Sequence, residues 1–254
     1  MKTTRYALPA SQPGISFKAA VIADLHDRPY DSILPILHRE QPDLILIPGD
    51  LTECLGIEDE YTARPGLQLL TECAALAPTF YAFGNHEIGG CHGRIFKEKR
   101  RTKGKVSPFS LADGWRKVIA DSGATLLDGS FVSWKGLVIG GLGSGLLRAD
   151  RKPDLTWLDE YTATPGYKVL LCHHPEYFDR YLRAYPIDLT VSGHAHGGQW
   201  RFFGRGVYAP DQHLFPKYTS GVHENRLVIS RGVSNPFTFI PRIGNPCEVV
   251  MVTV

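Results

Sequence analysis

Short, nearly continuous apolar runs recur along the chain, and most of them end at a polar residue. Runs of this kind, rich in Val, Ile, Leu and aromatic residues, are typical of strands that are covered on both faces. The pattern predicts eight such strands, within residues 18–24, 43–50, 79–85, 137–143, 167–174, 187–194, 227–232 and 247–254.

Helical patterns lie between several of these strands. They predict helices within residues 31–40, 62–76 and 110–123. Asp31 or Ser32 is the predicted N-cap of the first helix, and Gly123 is the C-terminal signal of the third. Alternating strands and helices, followed by a β-rich C-terminal part, indicate an α/β fold with a second sheet or an antiparallel extension. No linker divides the chain, so we expect a single domain over residues 1–254.

Composition narrows the class of protein without naming a function. Hydrophobic residues make up 43% of the 254 residues and charged residues 21%, which is ordinary for a soluble globular protein. The formal net charge of +2 does not indicate a nucleic-acid partner. No apolar stretch reaches the length of about 18 residues that a membrane-spanning helix needs. The five cysteines are odd in number and form no CxxC pair, so we expect free thiols and a cytoplasmic location.

Side chains that bind metals follow five of the predicted strands. They are Asp24 with His26, Asp50, Asn85 with His86, His173, and His194 with His196. Ligands of open α/β sheets bind beyond the carboxyl ends of the strands, so we expect these side chains to meet at one edge. Gly49, Gly84 and Gly193 allow the sharp turns that would direct them there. Oxygen and imidazole donors without cysteine suit manganese, iron or zinc.

The order of these motifs resembles that of the calcineurin-like metallophosphoesterase superfamily. The matching segments are DLH at 24–26, GD at 49–50, GNHE at 84–87, CHHP at 172–175 and GHAH at 193–196. The segments GHAHGGQ, APDQHLFPKYTSG and ISRGVSNP resemble the bacterial branch that contains small phosphodiesterases and UDP-2,3-diacylglucosamine pyrophosphatase-like enzymes. The resemblance implies a four-layer α/β/β/α sandwich of two mixed sheets.

The resemblance also implies a role for each of these residues around two divalent metal ions (Mn, Fe or Zn). One ion would be held by Asp24, His26 and His196, the other by Asn85, His173 and His194. Asp50 would bridge the two ions. His86 would be the catalytic histidine near the leaving group, and Glu87 would orient a ligand or the backbone.

The implied function is hydrolysis of a phosphodiester or pyrophosphate bond by a metal-bridging hydroxide, in a small-molecule or lipid-linked substrate. Two alternatives stay open. One is a phosphomonoesterase or protein phosphatase of the same fold, and the other is a non-catalytic, metal-stabilised scaffold.

Further residues are candidates for contacts with the substrate. Arg231 is predicted to bind the substrate phosphate, with a buried ion pair as the alternative, and His92 to line the pocket. His174 is predicted to have a packing or substrate role. The basic loop at 97–105, with six basic residues and one acid, would cap the cleft or contact a membrane surface, or is simply a solvated loop.

Overall fold

Two six-stranded sheets stacked face to face organise the molecule. The computed structural model describes residues 1–53, 64–88, 113–145, 152–235 and 239–254. Across the first sheet the strands are β1 (Lys2–Ala7), β16 (Glu248–Thr253), β2 (Lys18–Val21), β3 (Leu44–Ile47), β4 (Thr79–Tyr81) and β5 (Thr125–Leu126). Across the second they are β14 (Gly221–His223), β15 (Leu227–Ile229), β9 (Leu189–Ser192), β8 (Tyr167–Cys172), β7 (Leu137–Leu142) and β6 (Ser130–Trp134).

Both sheets are mixed. In the first, β16 runs antiparallel to β2, and the other neighbouring strands are parallel. In the second, β14 and β6 are antiparallel to their neighbours and the remaining pairs are parallel. The parallel strands β2, β3 and β4 therefore direct their carboxyl ends to one edge of the first sheet, and β7, β8, β9 and β15 do so in the second.

Helices cover the outer faces of the two sheets. The helices are α1 (Leu34–Glu40), α2 (Pro65–Leu76), α3 (Asp113–Asp121) and α4 (Leu158–Ala163), with a π-helical turn at Phe178–Leu182 and a 3₁₀ turn at His196–Gly198. No helix within the described ranges combines the length and the apolar character needed to cross a bilayer.

Three apolar layers separate these elements. Between the sheets, Val21 and Leu46 pack with Val169 and other strand residues. Their chain neighbours Ala20 and Ile45 face the other way, toward the layer shared with α1, α2 and α3. A third layer joins the outer face of the second sheet to α4 and the π-helical turn. Because both faces of the central strands are buried, the apolar runs are continuous, and the predicted α/β/β/α sandwich is confirmed.

The eight predicted strands all form, and some local predictions change. The residue before α1 is Ile33, in a helical conformation and without a side-chain cap, so the predicted cap at Asp31 or Ser32 is wrong. Gly123 does follow the end of α3 with a positive φ of 84°. The pattern missed β1, whose side chains are exposed or half-buried and so form no apolar run.

Two small hairpins that the pattern did not predict follow the 3₁₀ turn. In the first, β10 (Arg201–Phe202) pairs with β11 (Arg205–Gly206), and in the second, β12 (Tyr208–Ala209) pairs with β13 (His213–Leu214). Each strand is two residues long, too short to show a period of hydrophobicity in the sequence.

Candidate metal centre

The predicted metal ligands converge at the carboxyl ends of the central strands of both sheets. Asp24 and His26 follow β2, Asp50 follows β3, Asn85 follows β4, His173 follows β8, and His194 and His196 follow β9. All seven side chains are buried. The first sheet therefore supplies four of them and the second sheet three, at the junction between the two.

Five of these residues have a left-handed backbone conformation. The φ angles are 60° at Asp24, 54° at His26, 53° at Asp50, 66° at His194 and 46° at His196. Such a conformation is uncommon outside glycine and costs on the order of 1–3 kcal/mol per residue, and residues that adopt it cluster at functional sites. Hydrogen bonds from distant elements hold it here. The His194 N–H donates to Asp24 Oδ1 at 2.9 Å, and the His86 N–H donates to Asp50 Oδ1 at 2.9 Å.

One group of potential ligands consists of Asp24, His26 and His196. One donor atom from each lies within 4.8 Å of the other two. His196 Nε2 is 3.8 Å from Asp24 Oδ1. Asp24 Oδ2 and His26 Nε2 are buried and have no hydrogen-bond partner in the described part of the chain.

Asp50, His173 and His194 form a second group with the same spacing. His173 Nε2 lies 2.9 Å from Asp50 Oδ2, yet within the described ranges neither atom has a partner in hydrogen-bonding geometry. Asp50 Oδ2 is also 3.8 Å from His26 Nε2, so this single oxygen faces both groups. Asn85 lies in the turn beside Asp50, and its Oδ1 is likewise buried and without a partner among the residues that the structure describes.

The donor atoms of the two groups fit divalent cations. With Asn85 included, five of these donor atoms are buried and have no hydrogen-bond partner among the described residues: Asp24 Oδ2, His26 Nε2, Asp50 Oδ2, Asn85 Oδ1 and His173 Nε2. Each such atom costs about 1–3 kcal/mol if nothing satisfies it, and native proteins contain few. Carboxylate, amide and imidazole donors are ligands of zinc, manganese and iron, so bound cations would satisfy the whole set.

Contacts on the far side of three imidazoles orient the rings. His26 Nδ1 lies 2.8 Å from Glu53 Oε1, His173 Nδ1 lies 2.9 Å from the Pro48 carbonyl oxygen, and His194 Nε2 lies 3.0 Å from Asp211 Oδ2. A histidine that binds a metal through one nitrogen usually donates the other N–H to a carboxylate or carbonyl. These contacts therefore leave one nitrogen of each ring available to a cation.

Glu87 joins the turns that carry Asp50 and Asn85. Its buried carboxylate accepts hydrogen bonds from the backbone N–H groups of Asp50 (3.0 Å), Leu51 (2.6 Å), Thr52 (3.2 Å) and Gly84 (2.8 Å), and from the hydroxyl of Tyr81 (2.8 Å). This geometry agrees with the backbone-orienting role expected of Glu87.

His86 is more open than the surrounding residues, with a quarter of its side chain exposed. Its Nε2 lies 4.0 Å from Asp50 Oδ2, and its Nδ1 lies 2.9 Å from Glu53 Oε2. Burial lowers the pKa of His86, but the carboxylates of Asp50 and Glu53 outweigh it and raise the pKa to about 10. Burial likewise opposes the ionisation of Glu53, yet hydrogen bonds from His26 and His86 lower its pKa to about 2. The pair is thus an imidazolium held by a carboxylate, and it faces the ligand cluster.

Glycine is required where the two turns touch. A Cβ on Gly84 would lie 2.2 Å from Asp50 Oδ1, and one on Gly49, whose φ is +107°, would lie 2.4 Å from the Gly84 nitrogen. No side chain fits in these gaps, so the glycines let the turns after β3 and β4 lie against each other.

Replacing Gly84 with alanine is therefore expected to displace the Asp50 carboxylate. We expect a loss of about 1–3 kcal/mol in the free energy of unfolding from overpacking, together with weaker binding of Mn²⁺. Chemical denaturation and Mn²⁺ titration measure the two effects. Gly14→Ala is the control, because a Cβ at Gly14 meets nothing within 4 Å, so it adds only the strain of a φ of +78°. Unchanged Mn²⁺ affinity in Gly84→Ala would contradict the expectation.

Arg231 does not point at the ligand cluster. Its guanidinium donates to the buried carboxylate of Glu248 and, at 3.3 Å, to the hydroxyl of Thr4. The geometry therefore favours the buried ion pair over the substrate contact predicted from the sequence. His92 and the basic loop at 97–105 lie outside the described residues.

His174 is buried beside the second group. Its Nε2 lies 2.7 Å from the hydroxyl oxygen of Ser144, its ring stacks on Tyr177, and its Nδ1 lies 3.3 Å from Glu176 Oε1. These contacts fit the packing role among the two roles predicted for His174.

The contacts of Glu53 and Asp211 with the site histidines were not predicted from the sequence. Glu53 follows Asp50 by three residues, so its nearness to the motif was a usable signal. Asp211 lies in the turn of the second hairpin, and nothing local in the sequence connects it with His194.

Comparison with known proteins adds independent findings. The family model described as calcineurin-like phosphoesterase matches residues 17–198. The chain is 25% identical to the uncharacterized metallophosphoesterase YkuE of Bacillus subtilis (strain 168), with 85% of this chain and 72% of that protein covered. It is 28% identical to phosphodiesterase YaeI of Escherichia coli (strain K12), with 86% and 76% covered. A solved structure, TT1561 of Thermus thermophilus, aligns at a TM-score of 0.42 and 12% identity, covering 70% of this chain and 82% of that one.

Proposed function

The chain belongs to the calcineurin-like phosphoesterase family and is a metal-dependent hydrolase, and from that premise we propose that it cleaves a phosphodiester or pyrophosphate bond in a small-molecule or lipid-linked substrate. One observation supports this proposal above the others. A single oxygen, Asp50 Oδ2, faces both groups of potential ligands, and within the described residues it has no hydrogen-bond partner, as is also true of Asp24 Oδ2, His26 Nε2 and His173 Nε2.

The proposed ligands divide between two divalent cations. Asp24, His26 and His196 would hold one, Asn85, His173 and His194 the other, and Asp50 both. Bound there, the cations would supply Lewis-acid polarisation of the phosphate and acidify a water molecule. Manganese, iron and zinc all fit the donor set.

His86 is proposed as the general acid. With its pKa raised to about 10, the ring carries a proton on each nitrogen at neutral pH. Glu53 accepts a hydrogen bond from the Nδ1–H group, which orients the ring and leaves the Nε2 proton directed toward the cluster. That proton would pass to the leaving oxygen as the ester bond breaks, a contribution of typically about 10²- to 10⁴-fold.

Glu53 is proposed as a positioning residue for both histidines. Its two carboxylate oxygens contact different rings, His26 through Oε1 and His86 through Oε2. A single side chain therefore sets the orientation of a proposed metal ligand relative to the proposed general acid.

The ester class can be tested directly. Purified protein loaded with Mn²⁺, Fe²⁺ or Zn²⁺ is assayed on bis-p-nitrophenyl phosphate and on p-nitrophenyl phosphate under identical conditions. We expect the diester to react faster. A tenfold preference for the monoester would instead identify a phosphomonoesterase, and metal binding without hydrolysis of any ester would identify a scaffold; either result overturns the proposal.

We also propose a cytoplasmic location. The three cysteines in the described ranges, Cys73, Cys172 and Cys247, are free thiols. Free thiols are the usual state in a reducing compartment, which supports the proposal.

A further inference from the structure

Exposed large apolar side chains are concentrated on one part of the surface. Among the described residues there are eleven of them, and nine lie in the segments 200–215 and 239–243. The nine are Trp200, Phe202, Phe203, Tyr208, Leu214, Phe215, Phe239, Ile240 and Ile243. Phe203 is fully exposed, Phe239 is 97% exposed and Phe215 is 80% exposed. A patch of this kind on a soluble protein indicates a partner surface, and we call it the hairpin surface.

The two segments are joined by backbone contacts. Trp200 and Ile243 form a bridge, and the Arg201 N–H donates to the Ile243 carbonyl at 2.8 Å. The Trp200 indole N–H donates to the Pro241 carbonyl at 2.9 Å. The Phe215 N–H donates to the Val207 carbonyl at 2.9 Å, which ties the second hairpin to the end of the first. The apolar side chains therefore stand on one connected framework.

A basic pocket opens among the same residues. Its volume is about 400 Å³, and its lining includes Arg201, Arg205, Lys217, His223 and Phe215 but no acidic residue. Arg205 has no ionic partner in the described part of the chain. The Lys217 ammonium lies 2.7 Å from Asp179, which does not line the pocket. The Arg201 guanidinium donates to the Gly197 and Gly204 carbonyls and to the Thr219 hydroxyl. The pocket therefore offers the Arg205 guanidinium beside the exposed aromatic ring of Phe215.

The hairpin surface adjoins the metal centre. The first hairpin begins five residues after His196, and the turn of the second carries Asp211, which contacts His194 at 3.0 Å. A partner bound to the hairpin surface would thus lie beside the proposed catalytic site.

We propose that the hairpin surface docks onto a bilayer that contains anionic phospholipids, with the aromatic side chains among the headgroups and a lipid phosphate in the basic pocket. Exposed aromatic and aliphatic side chains partition into the interfacial region of a bilayer. Basic residues beside them are attracted to anionic headgroups. The combination of both on one face, without an acid in the pocket, is complementary to an anionic lipid surface. This surface consists of other residues than the basic segment 97–105, and binding to it does not depend on hydrolysis.

Co-sedimentation with vesicles tests the proposal. The full chain is mixed with vesicles of phosphatidylcholine alone or of equimolar phosphatidylcholine and phosphatidylglycerol. We expect binding to the anionic vesicles and little to the neutral ones. In Phe203→Ser/Phe215→Ser we expect the partition coefficient to fall roughly tenfold or more, because two apolar side chains no longer enter the interface.

Matched variants distinguish the contribution of the hairpin surface to vesicle binding from general effects of a substitution. Leu76→Ser removes an exposed apolar side chain elsewhere and is expected to bind like the wild type. Lys217→Gln should weaken binding about fivefold, the equivalent of about 1 kcal/mol for one basic residue near a membrane. Lys117→Gln is its control, because Lys117 is also an exposed lysine 2.7 Å from an aspartate, Asp121. Thermal unfolding checks that every variant is folded.

Several results would overturn the proposal. They are the absence of vesicle binding, equal binding to neutral and anionic vesicles, and full binding by Phe203→Ser/Phe215→Ser. Sedimentation velocity adds one more: a dimer that this double variant abolishes would assign the surface to a second copy of the chain. None of these measurements uses hydrolysis, so failure here leaves the proposed function standing.

Discussion

Replacing Asp50 with asparagine is expected to lower the rate of ester hydrolysis by at least about 10³-fold, or about 4 kcal/mol of transition-state stabilisation. Asp50 Oδ2 lies 2.9 Å from His173 Nε2 and 3.8 Å from His26 Nε2, so one carboxylate serves both groups of donors. An amide keeps the shape but removes the charge that would hold two cations. Its Oδ1 can still accept the His86 N–H, so we expect the fold to remain intact.

Metal content and turnover together test this expectation. Elemental analysis should show fewer Mn²⁺ ions per chain in Asp50→Asn, and turnover of bis-p-nitrophenyl phosphate should fall in parallel. Asp188→Asn is a suitable control, because Asp188 immediately precedes β9, at the opposite end of that strand from His194, and accepts the Lys168 N–H. Full metal content with wild-type turnover in Asp50→Asn would rule out a bridging role for Asp50.

Replacing His86 with alanine is expected to lower kcat by about 10²- to 10⁴-fold while metal content stays unchanged, as for the loss of a general acid. The ring contacts Glu53 rather than serving as one of the proposed ligands. The carboxylates of Asp50 and Glu53 raise the pKa of His86, to about 10 without bound metal, so the acid form is present at neutral pH and is lost at alkaline pH. Wild-type kcat should therefore decline on the alkaline side, and His86→Ala should lack that decline.

Leaving-group dependence makes the His86 test sharper. A departing alkoxide depends on protonation far more than p-nitrophenolate does. The loss of kcat in His86→Ala should therefore be larger for an alkyl ester than for bis-p-nitrophenyl phosphate. Glu53→Gln removes the carboxylate that orients both His26 and His86, and it should lower the rate of ester hydrolysis by about 10- to 100-fold. An equal defect of His86→Ala on both esters would argue against proton transfer by His86.

Much of the fold could be predicted because a strand that is buried on both faces forms a continuous apolar run in the sequence. In β2 and β3 every residue is apolar except Lys18, the first residue of β2. The reason is that alternate side chains pack between the sheets and under the helices. Strand β1 forms no such apolar run. It is held at the edge of the first sheet by backbone hydrogen bonds to β16, nearly the whole chain away, and its side chains stay partly in solvent.

The cap of α1 shows the limit of a local rule. Asp31 and Ser32 are good capping residues by type, yet Ile33 occupies the position because its side chain is fully buried in the core. Apolar burial in the tertiary structure outweighs a capping hydrogen bond worth about 1 kcal/mol.

By itself, the sequence determined the eight strands that form apolar runs and which donor atoms stand at the ends of five of them, because apolar burial and strand termination depend on neighbouring residues. Only the tertiary structure decided which ring nitrogen of His26, His173 and His194 contacts the protein, through Glu53, Pro48 and Asp211 respectively. It also decided that Arg231 pairs with Glu248 and that the large apolar side chains of the two hairpins stay exposed. The physical reason is the same in each case: these contacts join residues that are not neighbours along the chain, and only the folded structure brings them together.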